Sequence, residues 1–133
     1  MVFWIHGTPV QQGSKTAFVV KGRAIMTDQN AKTLKPWRET VTREAEVAAL
    51  RFPMFDGPLA VTADFYMPRG KTVKRARPCV TPDLDKLARA LMDGITDAGV
   101  WADDALVVDL HVREFYADER PPGVRVQINT IAT

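Results

Sequence analysis

Two short acidic clusters carry the chemistry this chain could do. Pro82-Asp83-Leu84-Asp85 opens an amphipathic run, and Asp103-Asp104 stands just before a segment that alternates like a strand. On a regular helix two carboxylates two residues apart diverge by about 200°. At a helix N-terminus they can converge: with Asp83 as the half-extended N-cap and Asp85 in the first turn, both can reach one point beyond the helix end. Oxygen-only ligation, completed by water and a substrate phosphate, is the chemistry of Mg²⁺ or Mn²⁺ and not of zinc. The first pair also has a purely structural account, because free amides and the helix dipole favour Asp at the cap and in the first turn. For Asp103-Asp104 neither capping nor turn logic asks for two adjacent carboxylates, although a loop can simply be solvated there.

A basic run lies directly upstream. Between Met67 and Asp83 the charged residues are Arg69, Lys71, Lys74, Arg75 and Arg77, with no acid among them, whereas Asp83, Asp85, Asp93, Asp97, Asp103, Asp104 and Asp109 crowd the next segment. The formal net charge of +2 hides this pattern. Cations beside a carboxylate cluster suit an enzyme acting on a polyanion, the former holding the backbone and the latter a metal at the scissile phosphate. A solvated loop followed by a solvated helix is the plainer alternative.

Other chemistries find little support. His6 and His111 have no metal-ligand spacing and read as strand residues. Ser14 is the only serine and has no strand-turn-helix elbow around it. Gly7 and Gly13 do not form a phosphate-binding loop. Cys79 is the single cysteine, which excludes an internal disulfide and a multi-cysteine zinc site and accords with a reducing, cytoplasmic setting. The apolar start Met1 to His6 is too short for a signal peptide, and no stretch is long enough to span a membrane.

The elements that must position the acidic clusters follow from periodicity. Residues Val2 to His6 read as a strand, and Thr16 to Val20 with Arg23 to Met26 as a hairpin turning at Lys21-Gly22. From about Thr33, a plausible N-cap, Trp37, Val41, Ala45 and Ala48 make a helical stripe that should stop before Pro53. Leu59, Val61, Ala63, Phe65 and Met67 alternate with Thr62, Asp64 and Tyr66 as a half-buried strand. Arg69 to Val80 reads as a mobile basic loop. Leu84, Leu87, Ala88, Leu91, Ile95 and Ala98 then form a second helix ending at Gly99. Leu106, Val108, Leu110 and Val112 alternate with Val107, Asp109, His111 and Arg113, and Val124, Val126 and Ile128 supply a last strand. A chain of 133 residues with 46% hydrophobic content fits one domain over residues 1–133. The expected fold is α+β, with two helices on one face of a small mixed or antiparallel sheet.

The run from Pro82 to Ile95, then Ala98-Gly99-Val100-Trp101 and Asp103-Asp104, resembles the central signature of RusA-type Holliday junction resolvases. Pro9-Val10-Gln11-Gln12-Gly13-Ser14-Lys15 is similar to their N-terminal segment. The resemblance implies a homodimeric, magnesium-dependent endonuclease that cuts four-way DNA junctions in recombination and repair. It places the essential carboxylates at Asp83, Asp85 and Asp104, with Asp103 a close neighbour. Two positions depart from the pattern: Lys86 stands where the family usually has Asn, and Arg89 where it has a functional Lys. Arg89 keeps a cation one turn from Asp85 for phosphate contact, but a guanidinium cannot donate a proton as an amine can; simple pairing with Asp85 is the alternative.

On this reading Asp83, Asp85, Asp104 and Asp103 hold the metal, Arg89 stabilises charge on the phosphate, and Lys15, Arg69, Lys71, Lys74, Arg75, Arg77 and Lys86 hold the DNA. Two rivals stand beside it. One is a protein that binds branched or single-stranded DNA through a degenerate site. The other is a metal-dependent phosphohydrolase of small nucleotides, which would not need the basic loop.

Overall fold

The computed structural model describes residues 1–13, 15–20, 23–28 and 31–132, and side chains outside 14–31. The strands are β1 (Val2–His6), β2 (Lys15–Val20), β3 (Arg23–Asp28), β4 (Leu59–Met67), β5 (Val107–Tyr116) and β6 (Gly123–Thr130); the helices are α1 (Ala31–Ala48) and α2 (Leu84–Asp97). β2 and β3 pair as an antiparallel hairpin, whose expected turn at Lys21-Gly22 lies outside the described residues. The other four strands form a mixed sheet in the order β1-β6-β4-β5, with β4 and β5 parallel and the remaining pairs antiparallel. The expected α+β architecture is thus present.

Alternation decides what the sheet buries. Phe3 and Ile5, the odd residues from Leu59 to Met67, and Val124, Val126 and Ile128 face the helices and form the core with Leu34, Trp37, Val41 and Ala45 of α1 and Leu87, Leu91 and Ile95 of α2. Each such aliphatic side chain contributes about 1.5–3 kcal/mol on burial. The helices touch at Gly94, where an added Cβ would lie 2.6 Å from Val41 Cγ1, and the Thr42 hydroxyl donates to the Gly94 carbonyl at 2.9 Å. Gly99, at φ +74°, takes the left-handed turn that ends α2.

Several expectations need correction. Thr33 is not the N-cap of α1, which begins at Ala31 and carries Pro36 inside it. The alternation along β5 slips, because the register against β4 shifts between Leu59 and Ala60. Leu106 and Val107 therefore both pack against the core, while Val108 is 65% and Leu110 45% exposed. On the opposite face Asp64 is only 4% exposed, since Arg113 on the neighbouring strand grips both its carboxylate oxygens at 2.8 and 2.9 Å. No helix among the described residues is long and apolar enough to cross a membrane.

Candidate active site

The basic segment is a fastened loop rather than a mobile one. Arg69 pairs with Asp118 at 2.7 and 3.1 Å, donates to the carbonyls of Val73 and Arg75, and lies 4.1 Å over the Tyr116 ring. Arg77 donates to the Glu114 carbonyl at 2.9 Å and covers Phe115. These two arginines tie the loop to β5 and its continuation, leaving Lys71, Lys74 and Arg75 exposed. The side chain of Lys15, on β2, lies outside the described residues.

The N-terminal segment crosses the start of α2. Gln12 N donates to the Lys86 carbonyl at 3.0 Å, and the Gln11 side-chain oxygen accepts from Asp83 N at 2.7 Å. Asp83 holds the N-cap position in an extended conformation, yet its carboxylate makes no capping hydrogen bond. It instead lies 3.5 Å from the Lys86 ammonium. The structural account that sufficed on paper for Asp83, a carboxylate capping helical amides, is therefore not the one in the fold.

Asp103 behaves in the opposite way. Its side chain accepts from Ala105 N at 3.0 Å and caps the 3₁₀ turn Asp104–Leu106. That amide holds the Asp103 carboxyl below the usual carboxylate range, aided by a hydrogen bond with Asp104. Asp104, exposed, is pushed the other way, first by this hydrogen bond and then by burial and the negative charges of Asp103 and Asp93, against a lowering by Arg89.

Asp85, Arg89 and Asp93 stand four residues apart on α2 and so share one stripe. Together with Asp104, Val107 and Leu110 they line a groove of about 350 Å³ between α2 and β5. The structure thus brings Asp85, Arg89 and Asp104 to one hollow and adds Asp93, which the four-residue spacing could have revealed. Asp83, two residues before Asp85, does not line this hollow, and its charge acts on Glu114 of β5. Glu114 was not foreseen either. Its Oε2 is buried without a partner, and burial, then Asp83, raises its carboxyl above the ordinary value. Its one sequence signal is a glutamate at an inward-facing strand position.

Among the described residues, no three His, Cys, Asp or Glu side chains come close enough to hold a metal ion. The donors around the groove are nonetheless hard oxygens, and Mg²⁺ is commonly held by one or two carboxylates, with water and phosphate completing its shell. The donor set fits such an ion, with few protein ligands from one chain.

A known relative and a known family match this chain. The uncharacterized protein YqaN of Bacillus subtilis (strain 168) is 30% identical over 144 residues, covering 98% of this chain and 96% of that protein. Residues 6–129, from the last residue of β1 into β6 and including both acidic clusters and the groove, match the family Endodeoxyribonuclease RusA. The chain therefore belongs to the RusA family of endodeoxyribonucleases, hydrolases that act on DNA.

Proposed function

We propose that this chain is a divalent-metal-dependent nuclease that resolves Holliday junctions, cutting four-way DNA by paired phosphodiester hydrolysis in recombination and repair, as a homodimer working in the cytoplasm. The observation that carries the proposal is the groove lined by Asp85, Arg89, Asp93 and Asp104, with the uncapped Asp83 at the same helix start. Asp83, Asp85 and Asp104 would hold Mg²⁺, or Mn²⁺ in its place, while Asp103 positions Asp104 through the turn it caps. When bound, such an ion supplies a more acidic water and neutralises charge on the phosphate. Arg89, permanently charged, offers planar paired donors to phosphate oxygens. Lys71, Lys74 and Arg75 present charge from the fastened loop to the duplex arms, with Lys15 and Lys86 as further contacts. Arg69 and Arg77 support them by holding the loop in place. Contacts of this kind do not read sequence and weaken steeply with salt.

The test is nicking of a synthetic four-way junction, with linear duplex as control and Mg²⁺ set against chelator. Nicking should need the metal, favour the junction, and vanish in Asp85→Asn while junction binding persists. Cleavage unaffected by chelator or by Asp85→Asn would remove the reading. A second reading, junction binding without cleavage, draws on the Lys86 ammonium 3.5 Å from Asp83, which offsets one of the proposed ligand charges. It predicts tight binding and no nicks in either metal.

A further inference from the structure

The helices cover one face of the four-stranded sheet, and a face left to water ordinarily carries polar side chains. Here that other face carries a row of half-buried rings: Trp4 of β1, Tyr66 of β4 and Phe115 of β5. The register explains how they meet. Gly123 of β6 lies between His6 and Tyr66, and Phe115 is the partner of Tyr66 on the far side. With no side chain at Gly123, the Trp4 and Tyr66 rings approach to 5.7 Å across β6, and Tyr66 and Phe115 stack at 5.4 Å. Contiguous ring surface outside a core is what interaction faces are built from.

Arginines top these rings. The Arg120 guanidinium lies 4.4 Å from the Tyr66 ring centre and 5.3 Å from that of Trp4, held by rings and by no ion pair among the described residues. Arg77 lies 4.1 Å over Phe115, and Arg125 stands in register between Trp4 and Asp64. Asp64, the acid in that row, is already taken by both arms of Arg113. Asp109 lies toward the opposite end of β5, 3.3 Å from His111. The ring row therefore meets positive charge with little negative charge against it. Beside it Trp4, His6, Arg120 and Pro121 line a hollow of about 220 Å³. That is smaller than the sites of drug-sized ligands, about 300–1,000 Å³, and its indole, imidazole and guanidinium walls suit a single flat heterocycle.

Flat heterocycles joined by phosphates are the chemistry of a nucleic-acid strand, and an unpaired strand is the form that frees its ring faces for aromatic side chains and guanidinium planes. We infer that the helix-free face of the sheet binds unpaired DNA, stacking bases on the Trp4, Tyr66 and Phe115 row and meeting phosphates with Arg120 and Arg125. The polymer is DNA because the chain belongs to a family that acts on it. The inference goes beyond the proposed nuclease reading. It assigns a second surface, on the opposite side of the sheet from α2, and holds whether or not the chain cuts.

Binding is measured with chelator present, so that cleavage does not enter, and at moderate salt, where loose phosphate contacts fade. Trp37 and Trp101 are buried, so quenching of tryptophan emission reports on Trp4. An oligothymidylate of about twelve nucleotides, within the span of single-strand sites, should quench the parent, and duplex of the same length should not. Anisotropy of the dye-labelled strand then compares variants. Trp4→Ala and Arg120→Gln should each weaken binding by about tenfold, the order of one lost stack, while Trp4→Phe, which keeps a ring, should stay close to the parent. Arg120 is exposed, so its variant tests the face even where Trp4→Ala fails to fold. Equal affinity for duplex and single strand would reduce the face to phosphate contacts and overturn the inference, as would single-strand binding indifferent to both variants. A parent that sediments as a dimer without DNA while Trp4→Ala is a monomer would show a second copy covering the rings, and would overturn it too. A chain that passes these tests and fails to nick junctions loses the nuclease reading and keeps this one.

Discussion

The start of α2 and the start of the 3₁₀ turn before β5 put the same residue in the same place to opposite ends. Asp83 and Asp103 both occupy N-cap positions with extended backbones. Asp103 gives its carboxylate to the Ala105 amide, and Asp83 gives its carboxylate to no helical amide. Helix starts favour Asp because orphan amides need acceptors. Where the acceptor is used, the residue belongs to the fold; where the amides go without it, the side chain is available to something outside the chain. At Asp83 the backbone N–H is met by Gln11, so the segment crossing the helix start helps satisfy this end while the carboxylate, 3.5 Å from the Lys86 ammonium, takes no part in capping.

The largest effect that separates the two residues is expected at Asp83. Asp83→Asn should cut junction nicking by about a hundredfold or more, the usual loss when a group stabilising transition-state charge is removed, and leave thermal stability within the small range of ordinary surface substitutions. A stability loss that tracks the activity loss would make Asp83 another cap. Asp103→Ala should show the reverse balance: a melting temperature lower by a few degrees from the lost cap, with nicking reduced only severalfold because Asp104 loses its support. If Asp103→Ala abolishes nicking without lowering the melting temperature, the division between the two carboxylates is wrong.

The same distinction marks what the sequence could reveal. The α2 stripe and the β4 alternation were legible because each repeats one period over many residues, and burial follows period. Four-residue spacing also contained Asp93 beside Asp85 and Arg89, although a charge run of that kind is equally read as solvated surface. The start of α1 at Ala31, upstream of Thr33 and with Pro36 inside the helix, has no comparable local signal. The slip in β5 depends on its register against Leu59 and Ala60, whose partners Val107 and Asp109 lie 48 and 49 residues away in the chain. The Asp64–Arg113 pair has the same origin: a polar strand position becomes buried only because its neighbour on the adjacent strand supplies two charge-assisted bonds. Joining Asp83 and Asp85 to Asp104 supposes that the start of α2 and the approach to β5 pack together, and no local period or spacing encodes that packing.

The smallest effect is expected at Asp118, a carboxylate committed to the fold through Arg69 as Asp103 is through Ala105. The hydrogen bonds and charge of Arg69 hold the Asp118 carboxyl below its ordinary value. A carboxyl depressed in the folded state contributes stability above its unfolded pKa and loses it as pH falls through the folded one. Asp118→Asn should therefore lower the melting temperature slightly at neutral pH, and the gap to the parent should close as acid reaches and passes the ordinary aspartate range. The pair is exposed, so added salt should narrow the gap at neutral pH as well. Since Arg69 fastens the loop bearing Lys71, Lys74 and Arg75, Asp118→Asn should also weaken junction binding at neutral pH while leaving the rate of nicking of bound junction unchanged. Melting curves across pH with single-turnover nicking separate these effects. A fall in the bound rate would place Asp118 with the carboxylates that act on DNA, against its commitment to the loop.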